Sequence, residues 1–346
     1  MRGEYRVWCD VGGTFTDCFV VSPQGERRRI KVLSHGRVPG RIDRWTSANR
    51  FVDSERAGEV DRFWVGGTIQ LFDGEGRGIG KSTCVEFDGH TGGFQLEASF
   101  PDAVAYEIQP GIEAPVLGAH LLLRIPIREG LPALEVRLGT TRATNALLTR
   151  SGAKTALVIT RGFEDLLEIG TQERSDLFAV RVVKPDRLYS AVIGIEERLA
   201  ADGSVLVPLD QDQAVRALKE LRSQGIHSIA ICFLHSYRNP EHERVVAELA
   251  RQEGFEWVFC SSLVAPGNRA VSRGETTVVD AYLTPTVRSY LQDVLEQFRD
   301  EEGTTLRVMT SSGGLTDSAE AWGKQLVLSG PDRKSTRLNS SHEWIS

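Results

Sequence analysis

The segment DVGGTFTD, residues 10–17, constrains the fold more than any other part of the chain. The run before it, YRVWC, and the run after it, CFVVS, are both typical of β-strands. Two adjacent glycines between such runs predict a tight hairpin turn. A third run, RRRIKVLS (27–34), extends the prediction to a three-stranded antiparallel meander.

The residue types in this turn fit a site for a phosphate group. Gly12 and Gly13 can adopt positive φ and carry no side chain, so their N–H groups can close around an anion. The hydroxyl groups of Thr14 and Thr16 are expected to donate hydrogen bonds beside them. Asp10, at the end of the first strand, is predicted to bind Mg²⁺ through a water molecule. The alternative is a plain glycine hairpin without a ligand.

Two carboxylates flank the turn, and each has a second possible role. Asp17 is expected to fix the turn or to assist with the cation. Asp10 and Asp17 are also the two weak candidates for a catalytic group, and the sequence does not identify the catalytic residues beyond them.

The segment GEGRGIGKS (74–82) resembles the phosphate-binding loop GxxxxGK[ST] but does not have its spacing. Glu75 stands where the first glycine belongs, and Gly74 is one residue too early. No helical pattern follows Ser82. We therefore expect a flexible loop of a β-region here.

The rest of the chain predicts an inserted β-region followed by an α/β pattern. Residues from about 40 to 112 are rich in Gly, Asp, Phe and Trp and show short alternating runs. From residue 113 onward, strand-like runs alternate with helical patterns, among them a stripe in 210–225 and a long helix over 284–303. The segment 171–209 reads as polar and poor in strands. Together these patterns predict a layered α/β domain with a largely parallel sheet.

Composition narrows the class of protein. The formal net charge of −6 and the absence of a Lys/Arg stripe argue against a nucleic-acid partner. The five cysteines are dispersed without a CxxC pair, which favours reduced thiols, and Cys232 and Cys260 are predicted to be buried. The chain shows neither a signal peptide nor an apolar run of about 20 residues, so no membrane is expected and the predicted location is cytoplasmic.

Several motifs, in one order, carry a resemblance to a known family. They are DVGGTFTD, LGTTRATNALLTRSGAKTALVITRGFEDLLEIGTQERSDLF (138–178), CFLHSYRNPEHE, DAYLTP and MTSSGGL. With them the chain resembles the hydantoinase A / 5-oxoprolinase family over roughly 5–36 and 113–331. The resemblance implies an actin-like ATPase fold, with a ribonuclease H-like lobe and mixed sheet. It also implies ATP and Mg²⁺ as cofactors, and the opening of a cyclic amide such as 5-oxo-L-proline to L-glutamate, a reaction of glutathione metabolism.

The resemblance also assigns residues, position by position. Nucleotide-binding residues are expected in the first turn, in the family's GTT and in a second glycine turn: Asp10, Gly12, Gly13, Thr14, Thr16, Gly139, Thr140, Thr141, Ser312, Gly313 and Gly314. Gln172 and Arg174 are weaker candidates for binding the substrate, with a structural ion pair as the alternative for Arg174. His235 and His242 are weak catalytic candidates whose alternative is a structural hydrogen bond.

The family pattern also divides the chain. The expected parts are 1–39 and 113–207 for the N-terminal domain, 40–112 for the insert, and 208–331 for the start of a second domain. The insert is expected to shape oligomer contacts, to cover the cleft, or to be inert. Residues 332–346 read as a non-native tail at a truncated end, and a second DxGGTxxD is absent. We therefore expect little turnover from this chain alone.

Two other functions remain open at this point. One is a small-molecule kinase of the same superfold, although GTTRATNALL and RGFEDLLEIG lie outside sugar-kinase patterns. The other is a non-catalytic subunit or scaffold that pairs with a B-type subunit. A homo-oligomer is also open, and the sequence does not identify the lactam.

Overall fold

The structure is a computed structural model that describes residues 5–172, 186–298 and 303–327. The described chain divides into two compact units. The first unit comprises 5–142, 290–298 and 303–320, and the second comprises 143–172, 186–289 and 321–327. Arg174 and the tail 332–346, both singled out in the sequence, lie outside the described residues.

The described elements run in the following order. The strands are β1 (Tyr5–Val11), β2 (Phe15–Val21), β3 (Arg27–Leu33), β4 (Val38–Arg41), β5 (Arg44–Ser47), β6 (Arg50–Val52), β7 (Thr68–Phe72), β8 (Gly78–Asp88), β9 (Gly93–Leu96), β10 (Ala105–Gln109), β11 (Leu134–Thr140), β12 (Thr155–Thr160), β13 (Ala191–Ile195), β14 (Arg198–Leu199), β15 (Val205–Val207), β16 (Ser228–Cys232), β17 (Trp257–Cys260), β18 (Thr305–Met309) and β19 (Leu315–Asp317). The helices are α1 (Ala114–Leu123), α2 (Arg142–Leu148), α3 (Leu166–Ile169), α4 (Gln211–Ser223), α5 (Glu241–Gln252), α6 (Ser261–Val264), α7 (Ala270–Phe298) and α8 (Gly323–Leu326). Among the described residues, no helix has the length and hydrophobicity needed to cross a bilayer.

The first unit is built on a mixed six-stranded sheet in the order β19-β18-β11-β1-β2-β3. β1, β2 and β3 form the predicted antiparallel meander, while β11 pairs parallel to β1 and β18 pairs parallel to β11. α1 packs against one face of the meander, where Gly118 meets Cys18. A Cβ on Gly118 would lie 2.3 Å from the Cys18 Sγ, so glycine is required for this close approach.

The predicted β-insert is present as a seven-stranded antiparallel sheet in the order β4-β10-β7-β8-β9-β6-β5. Its core is aromatic, with Phe51 stacked on Phe94 at a centroid distance of 4.9 Å and tilted against Tyr106 at 5.0 Å. Residues 78–82, expected in a flexible loop, instead belong to β8, because they pair with β7. The structure thus confirms that 74–82 is not a phosphate-binding loop.

The second unit contains a parallel sheet in the order β13-β12-β16-β17. α4 and α5 pack on it, and the predicted stripe of α4 is buried as expected, with Ala214, Leu218 and Leu221 in the core. The expectation that 171–209 is poor in strands was wrong. β13 pairs with β12 within that segment, and β14 and β15 form a short hairpin.

The predicted start of the long helix was also wrong. α7 begins at Ala270 rather than at residue 284, and Pro285 lies inside it. A proline in a helix leaves the carbonyl four residues earlier without its usual donor. Here that carbonyl, Ala281 O, accepts hydrogen bonds from Ser228 Oγ at 2.7 Å and from Thr155 Oγ1 at 3.4 Å. Side chains of β16 and β12 therefore replace the missing helical bond.

Candidate functional site

Three parallel strands of the first unit, β1, β11 and β18, end at the same edge of the mixed sheet. Asp10 pairs in register with Gly139, and Val11 with Thr140. The turn 12–14 follows β1, and the turn 310–314 follows β18. Parallel strands place their carboxyl ends together, so both glycine turns leave the sheet at this edge, on either side of β11.

The first turn is held by main-chain hydrogen bonds and by Ser34, the residue that follows β3. Gly12 N donates to Phe15 O at 3.0 Å, and Ser34 N donates to Thr14 O at 2.9 Å. Ser34 Oγ also donates to Gly12 O at 2.8 Å. Gly13 is exposed, with open space around the position that a Cβ would take. The turn therefore presents bare backbone to solvent.

The structure refines one expectation about this turn and corrects another. Gly12 and Gly13 do not adopt positive φ, so what the glycines provide here is the absence of a side chain rather than a left-handed backbone. Thr16 is fully buried, and its hydroxyl group shares a hydrogen bond of 3.0 Å with Ser34 Oγ. Thr16 lies in β2 and points inward, whereas Thr14 lies in the turn before β2 and is exposed, so Thr16 braces the turn and does not face solvent.

Asp10 projects over Gly139 on the neighbouring strand. Its Oδ1 lies 3.2 Å from the position that a Cβ on Gly139 would take. Within the described ranges, no donor forms a hydrogen bond to the Asp10 carboxylate. Asp17 lies across from Asp10 in the β1–β2 register, but it forms an ion pair of 3.3 Å with Lys31. Of the two carboxylates, Asp10 is the one available to bind a cation.

The GTT segment ties β1, β11 and α2 together. Thr140 is buried, and its Oγ1 accepts a hydrogen bond at 3.1 Å from the backbone N–H of Arg142, the first residue of α2. Thr141 N and Thr141 Oγ1 both donate to Val11 O, at 3.0 and 3.2 Å. These two threonine side chains therefore fix the ends of the strands beside Gly139.

The second glycine turn closes the β18–β19 hairpin. Thr310 N donates to Gly314 O at 2.9 Å, and Gly313, with φ +95°, donates to Thr310 O at 3.0 Å. Only glycine adopts this φ readily, which explains its position. Thr310 Oγ1 and Ser312 Oγ share a hydrogen bond of 2.9 Å. Ser312, Gly313 and Gly314 are exposed at the tip of the turn, as a role in ligand binding requires.

Two cysteines face each other across β1 and β2, next to the first turn. Cys9 Sγ is 3.3 Å from Cys18 Sγ, and both side chains are buried. The hydrogen bond to Cys18 and burial hold the pKa of Cys9 well above its usual value. The strand that delivers Asp10 is therefore anchored in a neutral core, and the charge at this edge comes from the carboxylates above it.

The other residues singled out in the sequence lie in the second unit. Gln172 has a left-handed backbone, with φ 61°. His242 Nδ1 lies 2.8 Å from Glu197 Oε2, and Glu197 is buried and also accepts from Thr160 Oγ1. His235 has φ 60°, and its buried Nδ1 has no hydrogen-bond partner among the described residues. These residues belong to the second unit, whereas the glycine turns belong to the first.

Sequence reasoning missed Ser34 and Thr310, which hold the two glycine turns. A serine after a strand and a threonine before two serines carry no distinctive pattern. Only their hydrogen bonds to Gly12 O and Gly314 O distinguish them from other surface hydroxyls. A spacing rule on the sequence would not have found them.

Comparisons with known proteins identify family models and relatives that this chain resembles. Residues 124–254 match the hydantoinase/oxoprolinase N-terminal region, and residues 273–333 match the hydantoinase/oxoprolinase domain. The chain is 38% identical to 5-oxoprolinase 1 of Arabidopsis thaliana over 275 residues, which is 71% of this chain and 21% of that protein. It is 34% identical to caprolactamase subunit alpha of Pseudomonas jessenii over 188 residues, which is 51% of this chain and 26% of that subunit.

One solved structure shows the same fold. The ATP-dependent caprolactamase of Pseudomonas jessenii superposes with a TM-score of 0.62 and 24% identity, covering 94% of this chain and 38% of that one. This likeness shows a shared fold, and the strand order confirms the predicted mixed sheet. The chain spans about a fifth of the Arabidopsis relative and about a quarter of the Pseudomonas subunit.

Proposed function

We propose, from the premise that this chain belongs to the hydantoinase/oxoprolinase family, that its first unit binds the phosphates of ATP. The observation that carries the proposal is the shared edge of β1, β11 and β18. Two glycine turns leave the sheet there on either side of β11, and the Asp10 carboxylate beside them has no donor among the described residues. Bare backbone turns at the carboxyl ends of parallel strands are suited to phosphate groups.

The residues at this edge would have two roles, which are contact with phosphate and binding of Mg²⁺. The N–H groups of Gly13, Ser312 and Gly314, all exposed residues, with the Thr14 hydroxyl group, would contact phosphate oxygens. Asp10 would hold Mg²⁺ through water, since Mg²⁺ keeps several waters and takes one or two carboxylates together with phosphates. Within the described ranges, no cluster of three or more His, Cys, Asp or Glu offers a site made by protein ligands alone.

For the whole protein we propose ATP-dependent opening of a cyclic amide, such as 5-oxo-L-proline. Support comes from relatives whose names are 5-oxoprolinase and caprolactamase. An unstrained amide is a poor electrophile, and bound ATP would supply the phosphoryl group that activates its carbonyl oxygen. The relative that is called a subunit alpha supports a partner subunit as part of the proposal. DxGGTxxD occurs once in the sequence, so we expect this chain alone to bind ATP without lactam-dependent turnover.

The test is ATP binding by the purified chain, measured by calorimetry with and without Mg²⁺. Asp10→Asn should remove the gain in affinity that Mg²⁺ gives, while binding without Mg²⁺ should persist. Asp212→Asn, an exposed carboxylate of α4, is the matched control and should behave like the wild type. Saturable Mg²⁺-ATP binding that Asp10→Asn leaves unchanged would contradict the assignment of Asp10. No ATP binding by the wild-type chain would contradict the proposed site.

A further inference from the structure

A cavity of about 510 Å³ that is widely open to solvent lies at the surface of the first unit, away from the glycine turns. It is formed where β3 begins, where α1 ends and where the insert passes over both, around residues 58–63. Arg28 of β3 pairs in register with Val20, whereas Leu33, at the other end of the strand, pairs with Phe15 beside the first turn. The cavity is therefore separate from the proposed phosphate site.

The charged side chains that line the cavity are predominantly cationic. Arg28, Arg29 and Arg124 contribute three guanidinium groups, and Glu59 is the carboxylate among the lining residues. Glu59 is already engaged, because its Oε1 accepts from Arg56 at 3.1 Å. Its Oε2 accepts from the Trp64 indole at 2.5 Å. Arg28 forms an ion pair of 3.3 Å with Glu26, so the unbalanced positive charge of the lining comes from Arg29 and Arg124.

Arg124 is held at the cavity by the end of α1. Its backbone N–H donates to His120 O, and its φ of 59° is left-handed, a conformation in which glycine is the usual residue. Its guanidinium group donates to Gly58 O at 2.9 Å. A guanidinium has five N–H donors, so this bond leaves most of them for a ligand.

The remaining lining is apolar and comes from all three elements. It consists of Ile30, Val60, Phe63, Leu121 and Leu122. Phe63 and Leu122 are buried, so this part of the cavity belongs to the core. A cavity of this volume with hydrocarbon on one side and guanidinium groups on the other is within the size range of small-molecule sites.

We propose that this cavity binds a small carboxylate with an apolar body, of the class of medium-chain aliphatic acids. The carboxylate would take N–H groups of Arg124 and Arg28, in the planar geometry that favours arginine for carboxylates. The hydrocarbon chain would cover the apolar side chains. A purely hydrophilic anion would leave that surface exposed to water, and a neutral chain would leave Arg29 and Arg124 without a counter-charge.

The test is calorimetric titration of the full chain with octanoate, with 1-octanol and with inorganic phosphate. Arg124→Gly removes a cation at a position where the backbone already favours glycine, so the variant should fold. Arg62→Gly is the matched control, because Arg62 is exposed, has φ 64° and does not line the cavity. Arg28→Gln tests the second cation, and circular dichroism checks that each variant is folded.

We expect saturable octanoate binding that Arg124→Gly and Arg28→Gln each weaken about tenfold, while Arg62→Gly leaves it unchanged. Octanol and phosphate should each bind at least about tenfold more weakly than octanoate. The proposal is overturned if octanoate does not bind saturably, or if Arg62→Gly weakens it as much as Arg124→Gly. Phosphate or octanol binding as tightly as octanoate would also overturn it.

Discussion

Asp10 and Gly139 face each other across the parallel pair β1–β11, and the Asp10 Oδ1 lies 3.2 Å from where a Cβ on Gly139 would be. A side chain on any other residue at position 139 would therefore restrict the space that the Asp10 carboxylate occupies. Gly139 does not have positive φ, so its role is to leave room rather than to bend the chain. This contact gives a direct way to perturb the site without changing any charge.

Gly139→Ala should weaken Mg²⁺-ATP binding by about tenfold, because the added methyl group displaces the Asp10 carboxylate and overpacking costs about 1–3 kcal/mol. Calorimetry with Mg²⁺-ATP measures the change. Gly74→Ala is the control, since the position has no heavy atom within 4 Å and no positive φ. Equal affinities for Gly139→Ala and the wild type would show that the position of Asp10 does not matter for the nucleotide.

Ser34→Ala should lower both the stability of the first unit and the affinity for ATP. The substitution removes the hydrogen bond to Gly12 O and leaves the buried Thr16 hydroxyl group without its Ser34 partner. Loss of a partner for a buried hydroxyl costs about 1–3 kcal/mol. Urea denaturation measures the free energy of unfolding, and Ser223→Ala on the exposed end of α4 is the control. An unchanged unfolding free energy for Ser34→Ala would contradict the bracing role.

The free energy of unfolding of Asp280→Asn should increasingly exceed that of the wild type as pH rises above about 4. Burial raises the pKa of Asp280 above its usual 3.8, and its Oδ2 has no hydrogen-bond partner among the described residues. The stability that such a group contributes is fully present below its pKa in the unfolded state. It is lost as the pH rises through its pKa in the folded state. Asparagine keeps the acceptor for Thr284 and for Lys324 N but does not ionise.

Asp202→Asn is the control with the opposite sign. Hydrogen bonds from Ser204 lower the pKa of Asp202, so its stabilisation is present above the unfolded pKa and is lost as pH falls. Thermal melts of both variants and the wild type at several pH values measure the two slopes. Parallel pH profiles for Asp280→Asn and the wild type would contradict the raised pKa.

The native chain should resist thiol reagents. All five cysteines are free and buried, and burial raises the pKa of Cys84 and of Cys260 to about 12. Thiolates react and thiols do not, so labelling by a disulfide reagent at pH 8 should be slow until denaturant is added. Five equivalents should then react. Fast reaction of one or more thiols in the native protein would show that a cysteine is accessible.

Much of the fold follows from local patterns. The meander, the β-insert and the stripe of α4 were predicted because each depends on alternation, helical period or glycine position within a short window. α7 was predicted too short because Pro285 normally stops a helix. The compensating donors to Ala281 O come from β12 and β16, far away in the sequence.

For the candidate site, the sequence by itself determined the residue types. DVGGTFTD, GTT and SSGG supply bare backbone, hydroxyl groups and two carboxylates, and GTT and SSGG lie in the segments that match the family. The tertiary structure determined which of these segments lie close together. β1, β11 and β18 pair in parallel, so their ends share an edge, while Thr16 turns inward and Ser34 holds the turn. Such contacts are set by strand pairing between distant segments, which no local pattern encodes.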